Sequence, residues 1–250
     1  KGIIAAALAE KSRTVISVEI DPDLASKLRE NLRGYGNVLV YEADFLSLPL
    51  PQTQYKVFSN IPFNLSADIL RKLTDTRYPP VTSYLIVQKE FADKLISKPG
   101  GYNSQLSILL GVRFELRIVQ RLRPTDFYPR PRVTAVLLEV SPRTDTLLAV
   151  EDLELFRDFV VYSYNAYQSS VAIGLKRLFA AAEFKNIAEA LQFPANATPA
   201  QLNLRQWLGL FVHAAQKRPL LEKLVGGQEK AVARRHSKRT KLHRTRYDHR

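Results

Sequence analysis

Tyr55-Lys56-Val57-Phe58-Ser59-Asn60-Ile61-Pro62-Phe63-Asn64-Leu65-Ser66 is the stretch on which the fold turns. Tyr55 to Ser59 reads as a strand, Asn60-Ile61-Pro62-Phe63 follows at once, and Ser66 is expected to cap a helix carrying Ile69, Leu70 and Leu73. The same alternation runs outward in both directions. Upstream, Lys1 to Glu10 reads as a helix and Thr14 to Ile20 as a buried strand. Asp21 caps the next helix with Pro22 in its first turn, and Leu24, Leu28 and Leu32 form its apolar stripe. Gly34 and Gly36 end that helix, and Val38 to Tyr41 is a further strand. Downstream come a strand over Val81 to Val87, a helix over Lys89 to Ile96, and strands over Leu116 to Leu122 and Ala135 to Val140. Strands alternating with helices through short connections predict an α/β fold with a mostly parallel sheet covered on both faces.

After about Arg143 the pattern turns wholly helical. Leu153 to Phe179 and Lys185 to Leu191 read as helices. Thr198-Pro199-Ala200-Gln201 reads as a capping box opening a helix with Leu204, Trp207, Leu208 and Phe211. The expected organisation is therefore an α/β domain over 1–143, a small all-helical domain over 144–228 and a basic tail over 229–250.

Composition narrows the chemistry. Of 250 residues, 46% are hydrophobic and 24% charged, a globular balance. No apolar run approaches the roughly 20 residues of a membrane-spanning helix, and no secretion signal stands at the start, so a cytoplasmic protein is expected. The absence of cysteine removes disulfides, thiolate nucleophiles, zinc ribbons and iron–sulfur clusters together. With four histidines, three of them in the basic tail, no metal site is expected. The formal net charge of +13 points to a polyanionic partner, nucleic acid before an anionic membrane. Glu229 to Arg250 holds nine Lys/Arg against two acids, and a second basic group comprises Arg117, Arg121, Arg123, Arg130 and Arg132.

Three places can carry chemistry. Glu19 ends a strand just before a capped helix, where doubly wound folds use an acid to bind a nucleotide ribose. Asp44 ends the next strand, where it can meet a purine edge. Each alone reads more readily as a cap or turn carboxylate, but two acids ending consecutive strands both face the carboxyl-edge crevice and together fit a nucleoside ligand as well as they fit local capping. Asn60-Ile61-Pro62-Phe63 is more specific. The Asn side-chain oxygen and a backbone carbonyl beside Pro62 can both accept from an exocyclic NH₂, while the Phe63 ring can stack on a base taken out of its helix.

In that context the chain resembles the amino-methyltransferases that use S-adenosylmethionine. Asn60-Ile61-Pro62-Phe63 is similar to their motif IV, Val18-Glu19-Ile20-Asp21 to motif II and Glu42-Ala43-Asp44-Phe45 to motif III. Gln88-Lys89-Glu90-Phe91-Ala92 and Phe127-Tyr128-Pro129-Arg130-Pro131-Arg132-Val133 resemble two further blocks of the rRNA adenine dimethyltransferases. The resemblance implies a Rossmann-like class I methyltransferase fold followed by a helical rRNA-binding domain. It implies S-adenosyl-L-methionine as cofactor, held by Gly2, Glu19, Ile20, Asp44, Phe45 and Asn60. Glu19 would take the ribose, Asp44 the cofactor's adenine amino group, and Ile20 would pack on that ring. Asn60, Ile61, Pro62 and Phe63 would grip and stack the target adenine, and Phe127 would close the pocket near the reacting methyl.

Two branches of the family fit. The Ile-Pro-Phe centre, the Pro-Arg-Pro-Arg-Val block and the basic tail look like the erythromycin-resistance (Erm) enzymes, which act on 23S rRNA. Membership there implies macrolide, lincosamide and streptogramin B resistance. The KsgA-type enzymes, which act on 16S rRNA during ribosome maturation, usually show Leu-Pro-Tyr and Pro-Pro-Lys-Val instead. A non-catalytic RNA-binding protein on the same fold is a third reading. A DNA adenine methyltransferase would usually place an acid before Pro-Pro-Tyr/Trp, which is not found here. The arginines around Phe127 read as phosphate contacts, the tail as an electrostatic arm, and Tyr162, Tyr164 and Tyr167 as packing residues at helical spacing before stacking platforms. A monomer is expected. The family's first strand and most of its glycine-rich motif I lie upstream of Lys1, and the chain contains no methionine. It therefore reads as part of a longer protein, and the resemblance implies that this piece alone binds the cofactor weakly.

Overall fold

The computed structural model describes residues 2–128, 130–166 and 170–234. The described residues divide into two compact units, one formed by those of 2–88 with 118–142, the other by those of 89–117 with 143–234. The linear boundary expected near Arg143 thus differs from the division by contact, because 89–117 belongs with the helices. Tyr167 and the tail beyond 234 lie outside the described residues.

The first unit opens with helix α1 (Ile3–Ala9), strand β1 (Val15–Glu19), helix α2 (Pro22–Asn31) and strand β2 (Val38–Glu42). β1 and β2 pair in parallel, Val15 opposite Val38 and Glu19 opposite Glu42. Ala5, Ala9, Val15, Leu28 and Leu32 form the core between this pair and its helices. Asp21 caps α2 as expected, its Oδ1 accepting from the Asp23 and Leu24 amides at 2.9 and 3.1 Å. Leu24 departs from the expected stripe. It sits in the first turn of α2, exposed, and only Leu28 and Leu32 reach the core.

Strands β3 (Lys56–Asn60), β4 (Thr82–Gln88), β5 (Phe114–Arg121) and β6 (Ala135–Pro142) form a four-stranded sheet in the order β3-β4-β6-β5, with helix α3 (Ser66–Thr74) between β3 and β4. β3 and β4 run parallel, Asn60 opposite Ile86, while β6 runs antiparallel to β4 with Ala135 opposite Gln88. With parallel pairs at β1–β2 and β3–β4 and an antiparallel pair at β4–β6, the arrangement is mixed and of the expected α/β class. α3 buries Ile69, Leu70 and Leu73, the three residues its stripe predicted. Ser66 does not cap it. Phe63–Leu65 form a 3₁₀ turn that runs straight into α3, so Ser66 is already helical and its hydroxyl bonds back to the Pro62 carbonyl at 3.3 Å.

The second unit comprises α4 (Lys89–Leu95), α5 (Gln105–Gly111), α6 (Val150–Asn165), α7 (Val171–Gly174), α8 (Ala181–Ala190), α9 (Leu204–Ala215) and α10 (Arg218–Val225). The helix expected over Leu153 to Phe179 is two, α6 and the short α7. α5 and α10 carry weaker signals that the sequence reading passed over. The Thr198–Gln201 box caps a 3₁₀ turn, and α9 has its own box of Asn203 and Gln206. Phe156, Phe159, Trp207 and Phe211 are essentially fully buried and interlock edge-on and tilted, with ring centroids 5.4–5.9 Å apart. Tyr164 is a packing residue, as expected. It stacks on Trp207 and its hydroxyl donates to the carbonyls of Asn103 and Pro199 at 2.7 and 3.1 Å. Burial pushes that hydroxyl's pKa well above the usual tyrosine value. Among the described residues no helix is long and apolar enough to cross a membrane.

Candidate active site

Strand register fixes where the expected site residues stand. β1 and β2 end level, and the Ala43 amide donates to the Glu19 carbonyl at 2.9 Å, so Glu19 and the loop carrying Asp44 leave one edge together. β3 ends at Asn60 on the carboxyl edge of its own pair. The segment bearing Phe127 leaves from that edge too, because Ala135 opposes Gln88 at the end of β4 and the Leu122 amide donates to the Ala135 carbonyl at 3.0 Å. Ladder geometry alone therefore brings Asn60 and the Phe127 segment to one end of the four-stranded sheet.

The two acids have local duties that leave acceptors over. Glu19 takes the Asp21 amide on Oε1 at 3.1 Å, and among the described residues Oε2 has no partner. Ile20 beside it is 66% exposed, an apolar surface open to solvent. Asp44 turns the chain: Oδ1 accepts from the Leu46 amide at 2.9 Å, Oδ2 from the Ser47 hydroxyl at 3.3 Å, and its carbonyl from the Ser47 and Leu48 amides. Its carboxylate is exposed, and each oxygen retains lone-pair capacity. Phe45 lies under the Lys72 ammonium at 5.5 Å from its ring centroid. Gly2 holds φ 80°, a left-handed conformation, at the start of α1, where an added Cβ would meet Leu28 Cδ1 at 3.1 Å.

The Asn60–Phe63 turn is anchored at its second residue. Ile61 is buried to 3% exposure and its amide donates to the Ile86 carbonyl at 3.4 Å. The Pro62 carbonyl is taken by the Leu65 amide and the Ser66 hydroxyl. Among the described residues no donor reaches the Ile61 carbonyl or the exposed Asn60 carboxamide oxygen. Two acceptors on consecutive residues thus stand free among the described residues just ahead of Phe63 in the chain, and Phe63 itself is 38% exposed. Phe127, half-buried, follows a 3₁₀ turn of Pro124–Asp126, and no ring contact or hydrogen bond joins its side chain to Asn60–Phe63 among the described residues.

Of the expected RNA-contacting arginines, Arg117 and Arg121 are exposed on β5, and Arg130 and Arg132 are exposed in the segment before β6. Arg123 is exposed but engaged by Asp126 at 3.2 Å. Its backbone N–H, then its guanidinium, holds the Asp126 carboxyl below the usual carboxylate range. Among the described residues no three His, Asp or Glu side chains gather as a metal site would require. Lys72, which the sequence did not single out, donates to the Leu46 and Leu48 carbonyls of the Asp44 loop. Its only signal was a lysine on the polar side of the helix following the Asn60 turn.

Residues 1–216 match the family model described as ribosomal RNA adenine dimethylase. The chain belongs to that family. Among curated relatives, a probable ribosomal RNA small subunit methyltransferase A of Pyrobaculum islandicum is 31% identical over 172 residues, covering 68% of this chain and 69% of the relative. An rRNA adenine N-6-methyltransferase of Saccharopolyspora erythraea is 28% identical over 218 residues, 87% of this chain and 56% of the relative. Among solved structures, the 23S rRNA methyltransferase ErmE superposes with a TM-score of 0.76 at 28% identity, covering 86% of this chain and 87% of that one. The fold is accordingly the class I methyltransferase fold with a helical C-terminal region, and the protein is by family an rRNA adenine methyltransferase.

Proposed function

We propose that this protein transfers methyl groups from S-adenosylmethionine to the N6 amino group of one adenine in 23S rRNA, and thereby confers macrolide, lincosamide and streptogramin B resistance. The observation that carries the chemistry is the pair of acceptors on consecutive residues, Asn60 Oδ1 and the Ile61 carbonyl, free among the described residues and followed in the same turn by exposed Phe63. An adenine amino nitrogen is a poor nucleophile because its lone pair is delocalised into the ring. Two acceptors that take both N–H hydrogens favour a pyramidal nitrogen and free that lone pair for attack. Phe63 holds the ring plane by stacking, and the buried Ile61 side chain and its bond to Ile86 keep the Ile61 carbonyl from turning away.

The cofactor's binding groups suit the residues present. The free Oε2 of Glu19 can accept from ribose hydroxyls, exposed Ile20 offers a flat apolar surface for a purine, and Asp44 keeps lone pairs for an exocyclic amine. When bound, S-adenosylmethionine supplies an already activated methyl group, so the protein's share is orientation. The amino proton departs to solvent once nitrogen carries the methyl, and a second transfer yields dimethyladenine. Exposed Arg121, Arg130 and Arg132 supply phosphate contacts that position the RNA without reading its sequence.

The 23S branch is favoured by the likeness to ErmE over almost the whole of both chains. The 16S branch is favoured by the Pyrobaculum relative's higher identity over a shorter span. The test is transfer of labelled methyl to separately purified large- and small-subunit rRNA. Label in a large-subunit adenine supports the proposal, label only in small-subunit RNA replaces it with ribosome maturation, and no label in either refutes the enzymatic reading.

A further inference from the structure

Lys72 makes contacts that the proposed chemistry does not yet use. It lies in α3, two turns beyond the 3₁₀ turn that carries Phe63, and it is half-buried. Its ammonium donates to the carbonyls of Leu46 at 2.8 Å and Leu48 at 2.5 Å and sits over the Phe45 ring. No carboxylate pairs with it among the described residues. Arg71 beside it takes the helix's own acid, Asp68, at 3.6 Å on the exposed side. Lys72 thus spends a partly desolvated charge wholly on neutral groups of one loop, where an ion pair would have been the ordinary way to satisfy it.

That loop is the Asp44 turn. From within, Asp44 binds the amides of Leu46, Ser47 and Leu48 and the Ser47 hydroxyl. From outside, Lys72 binds the carbonyls of the same stretch. The Asp44 carboxylate thus holds the Leu46 amide and the Ser47 hydroxyl, its backbone carbonyl holds the Ser47 and Leu48 amides, and the Lys72 ammonium on the neighbouring helix holds the Leu46 and Leu48 carbonyls. Without the ammonium, two carbonyls lose their charged donor and the turn holds only by bonds that Asp44 itself must make. A carboxylate busy holding its own loop is a poorer fixed acceptor for a ligand.

We infer that Lys72 is a positioning residue for the cofactor, fixing the Asp44 loop in its ligand-accepting shape from the helix that follows the Asn60–Phe63 turn. The inference rests on the proposed role of Asp44. It separates Lys72 from Asn60 and Phe63: they act on the target adenine, Lys72 on the affinity for S-adenosylmethionine.

The test compares Lys72→Met, Lys72→Arg and Asp44→Ala in the full-length protein. Four quantities are read: hydrogen exchange of the Leu46, Ser47 and Leu48 amides without ligand, the S-adenosylmethionine Kd by calorimetry, the rRNA Kd, and the melting temperature. Lys72→Met is expected to speed exchange at those three amides and raise the cofactor Kd about tenfold, the effect of losing hydrogen bonds from a charged donor. The rRNA Kd should stay within error while the melting temperature of Lys72→Met falls by a few degrees as the two carbonyls lose their charged donor, and Lys72→Arg, whose fork can span two carbonyls, should restore most of both the affinity and the melting temperature. An unchanged cofactor Kd in Lys72→Met overturns the inference. A joint loss of cofactor affinity, RNA affinity and melting temperature, the same in the Arg variant, assigns Lys72 to general packing and overturns it as well. If Asp44→Ala binds the cofactor as tightly as wild type, the reading of Asp44 is what fails, and the inference falls with it.

Discussion

On the proposed role of Asn60, Asn60→Ala should separate chemistry from folding. Asn60 is the last residue of β3, its side chain is exposed, and its carboxamide holds nothing among the described residues. Truncation therefore leaves no buried group unpaired and opens no cavity, and the stability change should stay within about 0.5 kcal/mol. The backbone pairing to Ile86 is untouched. In the transition state, however, one of two acceptors for the developing ammonium is lost. A preorganised group of this kind is worth about 2.7–4 kcal/mol, or about 10²–10³ in rate. The assay is single-turnover methyl transfer with saturating cofactor and RNA, run beside a urea unfolding curve. A rate drop of that size with an unmoved unfolding midpoint is the expected result, and Asn60→Asp, which keeps an acceptor, should lose less. A rate within threefold of wild type would refute the assignment of Asn60, and with it the argument from free acceptors.

Three other outcomes test the helical unit. The raised pKa of the Tyr164 hydroxyl means that the unfolded chain ionises first as pH climbs, so this contribution is intact below the ordinary value of 10.0 and is lost above it. Urea midpoints measured up the alkaline range should fall there, and Tyr164→Phe should flatten the fall. The buried Trp207 indole N–H meets no acceptor in hydrogen-bond geometry among the described residues, so Trp207→Phe should cost under about 2 kcal/mol where Trp207→Ala costs about 3–5, read by chemical denaturation. A Cβ at Gly209 would meet Leu191 Cδ2 at 2.4 Å, so Gly209→Ala should destabilise α9 by about 1 kcal/mol net of its gain in helix propensity. In a Leu191→Ala background the same change should become stabilising, which a double-mutant cycle would report.

The path from sequence to site was legible where side-chain period and turn chemistry agree. Asp21-Pro22 announced α2, and the Ile69, Leu70, Leu73 stripe announced α3's buried face, since both are local signals. Ser66 misled because a serine before an apolar stripe resembles a cap, whereas here the preceding 3₁₀ turn supplies the helix start. Thr198–Gln201 misled for a similar reason: a true capping box closed a single 3₁₀ turn, and Asn203 opened the helix. α5 had a cap in Ser104, which accepts from the Ser107 amide, but its seven residues are too few to display a period. Leu24 was on the right spacing and the wrong side of the first turn. Asn60 and Phe63 could be read as a pair because the strand before them fixes their place. Lys72 could not, because its partners are backbone carbonyls 24 and 26 residues upstream, which carry no side-chain pattern.

The position of α3 also bears on how the two substrates would meet. One helix begins in the turn that carries Phe63 and, two turns on, donates through Lys72 to the Leu46 and Leu48 carbonyls of the Asp44 loop. If one ligand orders its end of this helix, the entropy cost of ordering the other end falls. The coupling is reciprocal by thermodynamic necessity: if bound cofactor tightens the grip on RNA by some factor, bound RNA tightens the grip on cofactor by the same factor. Affinities measured for either ligand alone would then understate those of the working ternary complex.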